Sequence, residues 1–260
     1  YHDFQRKATN YADYRANGTE FSPAAPFPFD VQNTLVSFYG RTNLTVKGKY
    51  LLTATVRRDG SSRFSPDQRW GLFPSAAFAW NVSDESFLKN SKVISNLKLR
   101  LGYGTTGQQE IGNDYAYIAN YTLGTQTAQY QFGNTFYPVQ RPVGYDANIK
   151  WETTTTYNAG IDFGFFNNRI YGSLDVYSKK TDDLLAVIPA PAGTNFSNNI
   201  LTNVGSLENK GFEVTLGGVP VSRGDFSVEL NANFTYNKNE ITNLTKTASD
   251  TNDILDGGVS

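Results

Sequence analysis

Cysteine and methionine are both absent from the 260 residues. Without cysteine there is no disulfide framework, no thiolate nucleophile and no cysteine-based zinc site. The redox compartment stays open, and an exported protein fits as well as any other. The chain begins at Tyr1 with no initiator and no signal-peptide pattern, as expected of a processed product or a fragment. Histidine occurs once, at His2, and a lone histidine near a chain end is expected to be a surface residue rather than a ligand or base. Neither charge dominates, with 23 Lys and Arg against 24 Asp and Glu. The basic footprint of a nucleic-acid binder is therefore missing. No apolar run approaches the roughly 18–20 residues of a membrane helix. That excludes helical spans only, because barrel strands cross in about 9–11 residues and are half polar.

What the chain does have is aromatic residues, 18 Phe, 16 Tyr and 3 Trp, and a period of two. From Phe226 to Tyr236, apolar Phe226, Val228, Leu230, Ala232, Phe234 and Tyr236 alternate with polar residues. Strand side chains point alternately to the two faces, so all six share one side. Phe212, Val214 and Leu216 do the same, and the segment Pro220–Gly224 between them suits a tight turn. Gly211 to Asn237 thus reads as a hairpin with one apolar face and one wet face. A soluble sheet has that pattern, and so does a barrel with lipid outside and water inside.

The same alternation marks about eight strand candidates along the chain. Val36, Phe38, Leu44 and Val46 share a face, then Lys47–Lys49 makes a turn, then Tyr50, Leu52, Ala54 and Val56 resume. Trp70, Leu72, Ala76, Phe78 and Trp80 form the next face, with a tryptophan at each end where a membrane boundary would lie. The competing reading of both indoles is packing in a soluble core. Pro74 counts against a central strand there. Asn81 to Asn96 reads as a connector that starts a turn or two of helix near Ser83. Leu97 to Tyr103, Thr155 to Phe163 and Ile170 to Val176 alternate again, with a turn signal at Asn167-Asn168. The connections alternate between short and long except at Asn81–Asn96, as in barrels with short periplasmic turns and longer extracellular loops.

The run KYLLTATVRRDGSSRFSPDQRWGLFPSAAFAW, Lys49 to Trp80, resembles the barrel of the SusC/RagA family of TonB-dependent outer-membrane transporters. The family typically carries an RRDGSSRF-type loop followed by an RWG-FPS strand. LKLRLGYGTTGQQEIG from Leu97 and NVGSLENKGFEV from Asn203 are similar to further runs of that family, so the resemblance covers roughly Asn33 to Asn243. It implies an all-β fold, an antiparallel transmembrane β-barrel of which this chain is a segment. Members are large barrels of about 22 strands closed by an N-terminal plug, and the plug is absent from residues 1–260. Long extracellular loops are expected at about 1–30, 59–69, 105–150, 180–205 and 238–260, with the end after Asn237 polar and without a strand. The resemblance further implies import of oligosaccharides or peptides, with a SusD-like surface lipoprotein as lid and TonB acting through the plug. It also implies the outer membrane of a Gram-negative bacterium, with outer-membrane lipid around the wall.

No enzyme and no cofactor are expected. Gly102-Tyr103-Gly104-Thr105-Thr106-Gly107 spells a dinucleotide pattern, but no helix period follows it. Ser61, Ser62 and Ser65 near Arg57, Arg58 and Arg63 lack a nucleophile elbow and a second histidine. Arg57, Arg58, Asp59 and Arg63 read as a loop-fixing ion network. Asp182-Asp183 reads as a solvated pair, and Asp250 to Gly257 lacks the spacing of a calcium loop. The candidate ligand contacts are loop tyrosines, Tyr115, Tyr117, Tyr121, Tyr130 and Tyr137, whose flat faces suit sugar rings or peptide side chains. Packing within the loops is the competing role for each. Two other architectures fit the alternation: a soluble β-sandwich binding module, and a small self-closed eight-stranded barrel or adhesin.

Overall fold

The computed structural model describes residues 32–124, 127–190 and 197–243. In chain order the strands are β1 (Leu35–Val46), β2 (Tyr50–Ser61), β3 (Trp70–Asn81), β4 (Ile94–Gln108), β5 (Tyr121–Leu123), β6 (Gln129–Phe132) and β7 (Thr135–Pro138). They continue with β8 (Gln140–Pro142), β9 (Glu152–Phe165), β10 (Ile170–Asp182), β11 (Leu185–Pro189), β12 (Asn199–Asn203), β13 (Ser206–Arg223) and β14 (Phe226–Asn243). Eight of them form one antiparallel sheet in the order β1-β2-β3-β4-β9-β10-β13-β14. The remaining six pair as β5 with β8, β6 with β7 and β11 with β12, inside the long connections.

Register turns the alternation of each strand into a two-sided wall. One row across the sheet reads Leu44, Leu52, Phe78, Leu101, Ala159, Val176, Phe212 and Tyr236. The adjacent row, on the other face, reads Asn43, Thr53, Ala77, Gly102, Asn158, Tyr177, Gly211 and Asn237. A slip of one residue in any strand would break both rows.

The apolar face is uncovered. Leu101 is 54%, Leu230 62% and Phe234 59% exposed, and no second sheet packs on them among the described residues. The buried apolar residues are Phe64, Phe73, Val82, Ala116, Ile149, Trp151 and Val204, none a member of those apolar rows. This overturns the sandwich, whose two inner faces would bury each other. The self-closed eight-stranded barrel fails too: β1 pairs only with β2 and β14 only with β13 among the described residues.

Turns at one end are tight and left-handed where hairpin twist demands it. Lys47 and Gly48 have φ of 54° and 71°, Asn167 and Asn168 have 56° and 59°, and Gly224 has 59°. The expected helical start near Ser83 is a single 3-10 turn, Val82–Asp84. Pro74 lies in β3 despite the expectation against a central strand. Pairing with β4 starts only at Ser75↔Gly104, so no ladder bond from residue 74 is lost, and the Thr105 hydroxyl donates to the Pro74 carbonyl at 3.3 Å.

Several strands outrun the loop limits set by alternation: β2 reaches Ser61, β4 Gln108, β10 Asp182 and β14 Asn243. The stretch after Asn237 is therefore strand, not polar tail. Beyond the aromatic row the same face carries Lys238 and Glu240, still paired with Lys210 and Glu208, so the ladder outlasts the apolar pattern. Strands of 18 residues, as in β13 and β14, reach about 60 Å at 3.3 Å per residue. A bilayer core takes only about half of that. His2, the rest of 1–30 and the Asp250–Gly257 stretch lie outside the described residues.

Candidate functional site

The connections 62–69, 109–151 and 183–205 all leave the sheet at one end, and they knit into one platform. Its core is Phe64, Phe73, Ala116, Ile149 and Trp151, with Ile111, Tyr117, Leu185 and Leu201 packed around it. The Trp151 ring lies 5.1 Å from Phe64 and 5.3 Å from Phe73, and its indole N–H donates to the Arg69 carbonyl at 3.0 Å. Gly107 on β4 lets the ring approach: a Cβ there would meet Trp151 Cε3 at 2.8 Å.

Arg63 is the polar counterpart of that core. It is 8% exposed, and it donates to Asp114 at 2.5 Å, to Glu110 at 2.8 Å and to the Gln109 carbonyl at 3.3 Å. Burial opposes its charge, but the bonds to Asp114 and Glu110 outweigh burial and hold its pKa above the ordinary arginine value. The connection 62–69 thereby grips the start of 109–151. Asn203 grips its end: it accepts from Lys150 N at 2.7 Å and donates to the Lys150 and Asp183 carbonyls at 2.9 and 2.8 Å. Buried Thr202 donates to Asp146, and Lys150 pairs with Asp183 at 2.7 Å.

The five candidate tyrosines divide between two roles. Tyr117 packs on the platform core, and the Tyr115 hydroxyl accepts from Gln32 N at 3.0 Å. Tyr121, Tyr130 and Tyr137 are 69%, 63% and 52% exposed on the small hairpins. Tyr130 and Tyr137 face each other across β6 and β7, and Phe132 meets Tyr137 edge-on at 5.8 Å. The small hairpins thus present exposed aromatic faces beside the platform core.

The expected ion network is only partly as read. Arg57 pairs with Asp59 at 2.7 Å, but Arg58 lies over the Trp70 ring at 5.0 Å and Arg63 reaches a different connection. Ser62 fixes the loop to the start of β1, accepting from Thr34 N at 2.8 Å. Asp182 and Asp183 stay open to solvent at their side chains, 47% and 39% exposed, while each also bonds a lysine, Lys180 and Lys150 respectively. Residues 102–107 lie within β4, so the dinucleotide pattern is strand. Trp70 and Trp80 sit at opposite ends of the apolar face, stacked on Phe38 at 6.3 Å and on Tyr50 at 6.1 Å.

Sequence reasoning missed a second polar feature, on the wet face of the sheet. Arg100 on β4 bonds Asp162 on β9 at 2.8 Å and Asp175 on β10 at 2.9 Å. Beside it a concave trough of about 660 Å³ is lined by Arg41, Thr53, Asn158, Asp175, Tyr177 and Glu213 among others. Each residue stood in the polar phase of its strand, but only register brings them together. Among the described residues no group of three or more His, Cys, Asp or Glu is placed to hold a metal ion, and no helix is long and apolar enough to cross a membrane.

The family model described as "TonB dependent receptor-like, beta-barrel" matches residues 2–258. The chain belongs to that family. Within it the chain is of the SusC/RagA type. It is 52% identical over 217 residues to "TonB-dependent receptor SusC" of Bacteroides thetaiotaomicron, covering 84% of this chain and 22% of that receptor. It is 40% identical over 242 residues to "TonB-dependent receptor P39" of Formosa agariphila, covering 93% and 22%. Among solved structures it is similar to the RagAB peptide importer in its closed-closed state, with a TM-score of 0.71 at 29% identity over 86% of this chain and 24% of that one. The SusC-like chain thus spans about a fifth of the length of the curated relatives it matches. These relatives are named receptors and an importer, not enzymes.

Proposed function

We propose that this chain is a stretch of wall in an outer-membrane, TonB-dependent importer of oligosaccharides or peptides. The observation that carries the reading is the single antiparallel sheet whose in-register apolar rows are uncovered on one face while both edge strands lack a partner among the described residues. Such a sheet is stable only where hydrocarbon covers the apolar face and further strands take the edges. The opposite face, with Arg100, Asp162 and Asp175, then looks into the barrel. The 62–69, 109–151 and 183–205 platform faces the cell exterior, and the short turns face the periplasm.

In this reading Tyr121, Tyr130 and Tyr137 take substrate by stacking, beneath a SusD-like lipoprotein lid. Tyr115 and Tyr117 act by fixing the platform under them. TonB works through a plug that residues 1–260 do not contain. The chain carries no catalysis, and its location is the outer membrane of a Gram-negative bacterium. RagAB is described as a peptide importer, which supports peptides, while the open tyrosine faces suit sugars equally. The test is energised uptake by cells that carry the full-length protein. Replacing Tyr130 and Tyr137 together with Ala should raise the substrate concentration for half-maximal uptake while surface abundance stays constant. Unchanged uptake would remove the tyrosines from the site.

A further inference from the structure

We propose that the short-turn end of the wall is a foot that docks onto anionic phospholipid headgroups. Three apolar residues protrude there outside the strand rows: Phe87 is 70%, Phe166 52% and Val93 48% exposed. They belong to neighbouring segments, because Phe166 N donates to the Val93 carbonyl at 2.8 Å and Asn168 N to Ser95 Oγ at 3.3 Å. The connection 82–93 is too long for a plain periplasmic turn, and it is tied down rather than loose. The Glu85 carboxylate accepts from Lys49 at 2.9 Å, Tyr50 at 2.7 Å and Trp80 at 3.2 Å. Its backbone then folds back, with Lys89 N donating to the Glu85 carbonyl at 2.8 Å. A rigidly held connector that shows a phenylalanine ring to its surroundings calls for an apolar partner.

The charges around those rings name the partner. Lys47, Lys89, Lys92, Arg169 and Arg223 are exposed at this end and make no ion pair among the described residues. The acids in these connections are Asp84, Glu85 and Asp225, with Glu85 already held by Lys49; Glu229, on the other face of β14 from Phe226, accepts from Tyr171. Arg223 pairs across the last turn with Phe226 on the apolar side of the hairpin, where its stem can lie on hydrocarbon and its head reach water. Cations next to rings, continuous with an apolar wall, match the phosphate level of a bilayer. Each basic residue near an anionic membrane surface strengthens attachment about fivefold. The foot would thus fix the depth of the wall in the leaflet and hold 82–93 flat against it.

The inference rests on the apolar rows facing hydrocarbon, and the experiment separates the two ideas. The full-length protein carries Phe87→Cys or, as a reference, Leu230→Cys, labelled with an environment-sensitive fluorophore. It is reconstituted in phosphatidylcholine vesicles with or without phosphatidylglycerol. The label at 230 should report hydrocarbon in both; if it reports water, the wall reading fails, and the foot with it. With that satisfied, the label at 87 should shift to the blue in phosphatidylcholine and further with phosphatidylglycerol. High salt, or K89Q/K92Q/R169Q, should abolish the further shift. A label at 87 that stays water-exposed, or responds identically to both lipids, overturns the foot and leaves the wall standing.

Discussion

Arg100 reaches across an entire strand to bond Asp175, and it does so over Gly160. Register puts the three in one row, Arg100 on β4, Gly160 on β9 and Asp175 on β10, with the guanidinium 2.9 Å from the carboxylate. A Cβ at position 160 would collide with Asp175 Oδ1 and meet Arg100 Nη2 at 2.8 Å. The missing side chain is the space the ion pair occupies. Gly160→Ala should therefore destabilise the sheet by about 1–3 kcal/mol, the usual cost of overpacking. Urea unfolding from bilayers measures it, and Arg100→Lys should also lose stability because an ammonium cannot grip Asp162 with a planar fork.

Arg63 should behave as the clasp of the platform. Removing it leaves Asp114, only 13% exposed at its side chain, without its cation. Breaking a buried pair from one side costs about 3 kcal/mol. Because the loss is local, hydrogen exchange across 109–118 should quicken on the order of a hundredfold in Arg63→Ala. Strands β9 and β10 should keep their protection.

The short-turn end should weaken in acid. Bonds from Tyr50, Lys49 and Trp80 lower the Glu85 pKa from 4.5 to about 2. A depressed carboxylate adds stability that is complete above its unfolded pKa and vanishes as pH falls through the folded one. The contribution should thus fade between about pH 4.5 and pH 2. Glu85→Gln should be less stable than wild type at neutral pH, and it should lack this component of the acid transition when both are followed by pH titration.

Trp151 is the centre of the platform core, buried between Phe64 and Phe73. Trp151→Ala should cost about 3–5 kcal/mol of local stability through the cavity it leaves. The checking measurement is protease cleavage within 109–151, which should rise sharply while the eight-stranded sheet stays intact.

The eight long strands were legible because one face of each is apolar in register with its neighbours, and Leu230, Phe234 and their partners record it as a period of two. Strand ends were not, since Lys238 and Glu240 occupy the same face once the chain passes the apolar band. The small hairpins were hidden for a related reason: in Gln129–Phe132 every residue is exposed, so no alternation is imposed. The platform core unites residues 64, 73, 116, 149 and 151, which have no common period. Arg63 and its partners stand 47 and 51 positions apart, and only the fold joins them.

The apolar rows themselves give the most direct test, read on neighbouring positions of β14. Leu230 and Asn231 are neighbours on opposite faces, and Asn231 accepts from the Tyr171 hydroxyl at 3.0 Å. In the full-length protein folded into bilayers, Leu230→Arg should cost about 2–4 kcal/mol, and Asn231→Arg only about 1 kcal/mol for the lost Tyr171 bond. Equal costs at the two positions, or a larger one at 231, would mean that hydrocarbon does not lie against this face.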